Sequence, residues 1–177
     1  MTDAEKTVAE LQAELDKARA ETRAAFENRA FMYAYVYEEL AETLGKEEAV
    51  ELMKRAIYRR GLEVGRKYAE AAASSDLGRV GEIFVSGSPC QGAMFEPGIE
   101  LLEDGRLVLR MNACPLVDAW RSIGLPAEEI DTLCEIAAAV DEGTFEGAGL
   151  DLTFLDRIGV PDSKHCLLEL VVPADEA

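Results

Sequence analysis

The chain has 177 residues and a formal net charge of −17 at pH 7, because 35 acidic residues outweigh 18 basic ones. This charge repels phosphate backbones and anionic lipids, so we expect neither nucleic acid nor a membrane as a partner. The hydrophobic content of 49% is typical of a globular protein, and no apolar run approaches the ~18 residues that span a bilayer. The N-terminus is polar and acidic, unlike a signal peptide, which predicts a cytoplasmic protein with one domain over residues 1–177. Its four cysteines are then expected to be free thiols or metal ligands.

The first predicted element is a helix over residues 7–30. Its apolar positions recur at spacings of three and four, as in a heptad repeat: Val8, Leu11, Leu15, Ala18 and Ala25. Thr22 and Arg29 weaken this repeat, which argues against a long coiled coil. We therefore expect residues 1–30 to protrude and to pack on their own domain or on a second subunit of a homo-oligomer.

An aromatic-rich helical segment follows over residues 30–44 and ends at Gly45, and a second helix runs from Lys46 to about residue 73. Gly61 and Gly65 lie one turn apart in this second helix. Glycine costs about 1 kcal/mol relative to alanine inside a helix, so the pair predicts the close approach of another backbone, with ligand contact as the alternative. Arg59 and Arg60 lie beside this face and are expected to supply positive charge for an anionic ligand.

The C-terminal half carries two hairpin patterns. Asp104-Gly105 separates two apolar runs within residues 98–113, and a turn at 159–162 separates residues 150–158 from 164–172. Helices are predicted between the hairpins, at about 115–122 and 127–142. The expected fold is α+β, in which N-terminal helices (31–88) pack with a small antiparallel sheet built from two hairpins and an intervening helix pair (89–177), and the last five residues fray.

Cys114 lies between a predicted strand and Pro115, which favours the first position of a helix. Exposed amides and the helix dipole favour a thiolate at such a position. A thiolate acts as a nucleophile or as a soft metal ligand. The alternative is a buried cysteine at a strand–helix junction.

Cys134 and Asp141 are seven residues apart on the last predicted helix, so both project from nearly the same face. A buried aspartate is costly unless it is paired or ligating, which makes Asp141 a candidate site residue, unless it is solvated at the end of the helix. Alternation along the last strand turns Cys166 inward and His165 outward, which argues against a dyad of these two neighbours. Cys90, in a loop, is predicted to take no part.

The motifs Cys114-Pro115-Leu116, Ala119-Trp120, Leu133-Cys134, Asp141 and the segment 162–166 together resemble the L-2-amino-thiazoline-4-carboxylic acid hydrolase family over about residues 90–172. The resemblance implies ring-opening hydrolysis at a carbon between nitrogen and sulfur, with a carbamoylated cysteine as product. The last strand pair is similar, more distantly, to 4-vinyl reductase-type domains, which bind small ligands or metals.

Two functions follow as hypotheses. In a hydrolase, Cys114 thiolate or metal-activated water would attack the ring carbon, and Asp141 or Glu142 would move protons, while the substrate would be bound by Arg59, Arg60 and Trp120. In a binding or sensor module, a divalent metal such as zinc would be held by Cys114, Cys134, Cys166 and Asp141. A third possibility is that all the cysteines only fill apolar space.

Overall fold

A computed structural model describes the backbone of residues 3–173 and the side chains of residues 7–173, so most of the tail that we expected to fray lies outside the described residues. The helices are α1 (Asp3–Leu44), α2 (Lys46–Gly65), α3 (Ala69–Ala73), α4 (Leu77–Ser86), α5 (Pro115–Ser122) and α6 (Ala127–Glu146). The strands are β1 (Pro97–Glu103), β2 (Arg106–Met111), β3 (Asp151–Asp156) and β4 (Cys166–Val171). Within the described residues, no helix has both the length and the apolar character needed to cross a membrane.

Helix α1 is continuous over 42 residues and is therefore about 63 Å long. Its C-terminal half buries Ala30, Ala34 and Tyr37 in the core, whereas residues 7–18 are all exposed. The predicted stop at Gly45 is confirmed: this glycine has a φ of 90°, and its amide donates to the Ala41 carbonyl over 3.0 Å. The side chain that anchors α1 to the C-terminal half is Trp120, whose indole N–H donates to the Ala30 carbonyl over 2.8 Å.

Helices α2 and α6 pack with their backbones in direct contact. A Cβ atom built on Gly61 would overlap the Val140 carbonyl oxygen and approach Gly143 Cα to 2.8 Å. Gly65 is equally close to the Thr144 carbonyl oxygen, so two consecutive turns of α2 lie against α6. The prediction of close backbone approach at these glycines is confirmed, and neither of them lines the cavity described below.

The predicted second helix is too long, because α2 ends at Gly65 rather than near residue 73. The chain turns there through hydrogen bonds from the Lys67 amide to the Val64 carbonyl and from the Tyr68 amide to the Gly65 carbonyl. The short helix α3 follows, and then α4, which lies within the predicted helical part (31–88) although no separate helix was assigned there. Asp76 caps α4 by accepting a hydrogen bond from the Arg79 amide at 2.9 Å.

The four strands form one antiparallel sheet in the order β1-β2-β4-β3, which confirms both predicted hairpins and the α+β fold. One face of the sheet packs on the helices through fully buried side chains of the two central strands, Leu107, Leu109, Leu168 and Leu170. The opposite face carries ion pairs between Arg106 and Glu169 (2.6 Å) and between Arg110 and Glu100 (2.9 Å). The cavity lies on the helix-covered side.

The contact between α2 and α6 leads to a stability prediction. Gly61→Ala should lower the free energy of unfolding by about 1–3 kcal/mol, because the new methyl group would push apart two backbones that cannot rearrange locally. Gly78→Ala in α4 is the matched control. Its Cβ would meet only side-chain atoms at 3.4 and 3.6 Å, so the substitution should be neutral or stabilising. Chemical denaturation measures both values, and equal stabilities of the two variants would contradict the packing described.

Candidate functional site

A cavity of about 510 Å³ lies between α1, α2, α6 and the helix-covered face of the sheet. Its walls are mostly apolar, with contributions from every layer of the fold. The larger apolar side chains that line it are Phe26, Ile57, Val64, Phe84, Phe95, Met111, Phe145 and Phe154. Both the volume and the lining are typical of a site for a small organic molecule.

Three of the four cysteines and Asp141 line this one cavity, although they come from three different elements. Cys114 precedes α5, Cys134 and Asp141 lie on α6, and Cys166 begins β4. The sequence prediction that these four residues lie close together therefore agrees with their placement. What each group can do chemically depends on its surroundings.

Cys114 occupies the N-cap position of α5, as predicted, although its side chain forms no capping hydrogen bond. The nearby Leu116 and Val117 amides favour the thiolate, but burial opposes it more strongly and raises the pKa of the Cys114 thiol to about 11. The charges of Cys134 and Asp118 raise it further. Cys114 is therefore a neutral thiol at pH 7, and the expectation of a thiolate favoured by the helix N-terminus is wrong.

The loop after β3 holds the other two thiols. The Ile158 amide donates to the sulfur of Cys166 over 3.3 Å, and the Gly159 amide donates to the sulfur of Cys134. The Arg121 side chain fixes this loop by donating to the Ile158 carbonyl over 3.0 Å. Burial is the largest effect on both thiols: it raises the pKa of Cys134 and raises that of Cys166 to about 12.

Asp141 lies inside α6 rather than at its end, because the helix continues to Glu146. The carboxyl group faces the cavity and is half-buried, and desolvation raises its pKa to about 7. The neighbouring charge of Glu142 adds to this rise, while Arg29 opposes it. Among the described residues, no side chain forms a hydrogen bond or ion pair with Asp141. Asp141 therefore retains its proton at a higher pH than an exposed aspartate does, and its carboxyl is available to a ligand.

The arrangement does not support the predicted metal centre. Within the described part of the chain, no three or more histidine, cysteine, aspartate or glutamate side chains are placed so that they could hold a metal ion. Cys114, Cys134, Cys166 and Asp141 thus share a cavity without forming a coordination site. His165 lies outside the cavity and pairs with Asp156 at 3.4 Å, in agreement with its predicted outward orientation.

Four cationic side chains also line the cavity: Arg29, Arg60, Lys67 and Arg157. Arg60 pairs with Glu63 (2.6 Å), and Arg157 pairs with Asp131 (2.9 Å). Over the residues that the structure describes, neither Arg29 nor Lys67 forms an ion pair.

Each of these two unpaired cations lies over an aromatic ring. The Arg29 guanidinium is 4.6 Å from the centre of the Phe26 ring, and the Lys67 ammonium is 4.8 Å from that of Tyr68. Both residues are exposed, so they mark the rim of the cavity, and Asp141 with the thiols forms its interior.

Of the three predicted substrate-binding residues, one lines the cavity and two do not. Arg60 lines the cavity, as predicted, but its neighbour Arg59 does not. Trp120 is fully buried in the core with its N–H group paired, so it offers no surface to a ligand of this cavity. Sequence reasoning missed Arg29, Lys67 and Arg157, because a basic residue on an exposed helix or loop gives no signal of the cavity that it borders.

The position of Asp141 leads to a prediction about pH and stability. The unfolded carboxyl has a pKa of about 3.9, so between pH 4 and 7 the unfolded chain releases this proton while the folded chain retains it. Ionisation therefore destabilises the fold progressively as the pH rises through this window. Asp141→Asn should gain stability relative to the wild type by roughly 4 kcal/mol between pH 4 and pH 8. Urea denaturation across this range measures the difference in the free energy of unfolding between the two proteins. A difference that does not change with pH would show that folding leaves the pKa of Asp141 unchanged.

Known proteins of low sequence identity share the fold of this chain. No curated protein matches the chain. A trafficking protein particle complex subunit 3 from Naegleria fowleri, covalently bound to palmitic acid, has a similar fold with a TM-score of 0.53 and 11% identity, over 85% of this chain and 96% of that one. The phenol-responsive sensory domain of the transcription activator PoxR, with phenol, gives a TM-score of 0.44 and 17% identity, over 82% of this chain and 74% of that one.

The sequence profile of the L-2-amino-thiazoline-4-carboxylic acid hydrolase family matches residues 23–159. The match begins earlier than the resemblance read from the cysteine motifs, and it includes most of the helical part that borders the cavity. The name of this family indicates a hydrolase. The chain belongs to the L-2-amino-thiazoline-4-carboxylic acid hydrolase family.

Proposed function

We propose that the cavity is the active site of a hydrolase that opens a carbon–nitrogen bond in a small cyclic amidine bearing a carboxylate, of the thiazoline kind. The observation that carries this proposal is Asp141, a carboxyl with a pKa of about 7 that faces the cavity and has no hydrogen-bond or ion-pair partner among the described residues. A group that is half protonated at neutral pH can both accept and donate a proton during one reaction. Family membership supplies the ring chemistry.

In this proposal, the cationic side chains on the rim of the cavity bind the substrate carboxylate. The chain as a whole has a charge of −17 and repels anions, so an anionic substrate needs local positive charge. Arg29 and Lys67 supply it, because neither is already paired with an acidic side chain among the described residues. Arg60 adds a third charge that Glu63 partly neutralises. A carboxylate held at the rim would direct the amidine ring toward Asp141 and the thiols.

The chemical step uses water and Asp141. The Asp141 carboxylate accepts a proton as a water molecule adds to the amidine carbon, which gives a tetrahedral intermediate. The protonated acid returns this proton to the ring nitrogen. Asp141 then accepts the hydroxyl proton of the intermediate and passes it to the same nitrogen, as the carbonyl forms and the carbon–nitrogen bond breaks. One water molecule is consumed, and the products are a free amine and a carbamoyl group on sulfur within one ring-opened molecule.

The three thiols form the wall of the site in this mechanism. The Gly159 and Ile158 amides donate to the sulfurs of Cys134 and Cys166, and burial raises the pKa of all three thiols, so none is prepared to act as a nucleophile. A neutral, polarisable wall suits the ring sulfur of a thiazoline. The same hydrogen bonds fix the loop at Ile158 and Gly159, and with it the adjoining part of the cavity.

Activity measurements on two variants test the roles of Asp141 and Cys114. Purified protein incubated with 2-amino-thiazoline-4-carboxylate should release a product heavier by one water, which mass spectrometry detects. Asp141→Asn should lower kcat/KM at least about 100-fold, whereas Cys114→Ser should lower it less than about tenfold. In the wild type, kcat/KM should rise with pH up to about 7 and then level off, because the ionised Asp141 is the form that accepts the proton.

Other outcomes of this experiment would change the mechanism or remove it. Loss of all turnover in Cys114→Ser, with a carbamoylated Cys114 in the wild type, would establish covalent catalysis in place of the water mechanism. Full activity of Asp141→Asn would remove the central observation of the proposal.

Substitution of Lys67 tests how the carboxylate of the substrate is bound. Lys67→Gln should raise KM about tenfold or more with little change in kcat, because a charge-assisted hydrogen bond to the substrate is lost in both the ground state and the transition state. Arg66→Gln is the matched control: this neighbouring side chain is also exposed but does not line the cavity, so its KM should stay at the wild-type value. An equal rise of KM in the two variants would show that only the net charge of the protein affects binding, and it would contradict a specific role for Lys67.

The apolar lining favours a second candidate, a module that binds an apolar carboxylate without turning it over. The aromatic and aliphatic walls exceed what a single thiazoline ring would cover, and the Naegleria protein of similar fold carries palmitic acid. Saturable binding of dodecanoate in calorimetry, together with no hydrolysis of the thiazoline, would select this candidate. Turnover of the thiazoline without dodecanoate binding would exclude it.

A further inference from the structure

The exposed side of α1 carries an apolar stripe that nothing in the described part of the chain covers. Five of its large side chains are between 40% and 66% exposed: Val8, Leu11, Leu15, Met32 and Val36. The stripe runs over about 42 Å of helix, and it is separate from the core-facing side that carries Ala30, Ala34 and Tyr37. Its first part, residues 7–18, is exposed on all sides, and an isolated helix of that length is only marginally stable in water.

The spacing of the stripe is that of a helix pair. Val8, Leu15 and Val36 fall on one position of a heptad repeat, and Leu11 and Met32 fall on the other apolar position. The centre is filled by the small residues Ala18, Thr22 and Ala25, which allow two helices to approach closely. Large side chains at both ends and small ones in the middle suit a helix that crosses a copy of itself.

We propose that α1 pairs in an antiparallel orientation with α1 of a second copy of this chain, through this stripe. The resulting interface is isologous, with its twofold axis between Thr22 and Ala25. In this alignment Leu15 lies opposite Met32 of the second copy, and Leu11 lies opposite Val36. Every large apolar side chain except Val8 then has an apolar partner.

Charge decides the orientation. A parallel pair would place Arg29 against Arg29 of the second copy within the seam, and like charges in direct contact are destabilising. The antiparallel pair instead places Arg29 opposite Ala18, which leaves room for the long side chain.

The proposed interface adjoins the cavity, because Arg29 lies at a seam position of the heptad repeat and also on the rim of the cavity. The second copy of α1 would therefore run beside the mouth of the cavity. The dimer does not depend on the proposed hydrolysis, since the five apolar side chains of the stripe do not line the cavity.

Sedimentation velocity of the full chain at several concentrations tests the proposal, with an expected species of twice the chain mass. Leu15→Glu should raise the dimer dissociation constant at least about tenfold, because it places a charge in the seam. Ala13→Glu is the matched control, since this exposed residue lies on the far side of α1 and should leave the dimer intact. Circular dichroism should show the same helix content in both variants. A monomeric wild type, or a Leu15→Glu variant as dimeric as the wild type, would overturn the proposal.

Crosslinking tests the orientation separately. Under mild oxidation, the double variant Leu11→Cys/Val36→Cys should form covalent dimers, whereas the single variant Leu11→Cys should form no more than the oxidised wild type. Efficient crosslinking of the single variant would show a parallel pair and overturn the antiparallel assignment.

Discussion

The backbone contact between α2 and α6 is the constraint on which the rest of the structure depends. Gly61 and Gly65 on one helix, with Gly143 on the other, remove the side chains that would otherwise separate the two axes. The contact fixes the rotation of α6, and that rotation turns Cys134 and Asp141 toward the cavity rather than toward solvent. Thr144, whose backbone forms part of this contact, is buried, and its hydroxyl donates to the Val140 carbonyl, so the helix carries no unpaired hydroxyl there.

Burial governs the chemistry of the cavity more than any local charge does. The helix N-terminus at Cys114 offers two amides to the sulfur, yet desolvation of the thiolate is the larger effect, and the thiol stays neutral. The same effect keeps Cys166 neutral and holds Asp141 near half protonation. A site of this kind suits proton transfer by a carboxyl group better than attack by a thiolate. It also explains why three cysteines can line one cavity without forming a cluster of negative charge.

The distribution of charge complements this neutral interior. The chain is strongly acidic, but among the residues that the structure describes, those that border the cavity include four cations and one acid, Asp141. Two of these cations already neutralise acidic partners, which leaves Arg29 and Lys67 on the rim with aromatic rings below them. An anion is thus repelled by most of the surface and attracted at one place. This contrast favours selective entry of small anions over binding of large polyanions.

The sequence by itself determined the elements and several of their contacts. The Asp-Gly turn, the proline after Cys114 and the glycine pair in α2 each impose a local geometry that few alternatives satisfy, and all three were placed correctly. The seven-residue spacing of Cys134 and Asp141 likewise fixed their common face. Only the tertiary structure decided that Trp120 serves the core, that Arg60 rather than Arg59 borders the cavity, and that Lys67 and Arg157 join it. It also decided the protonation of Cys114, because desolvation depends on every neighbouring atom, whereas a sequence pattern reports only those that are near along the chain.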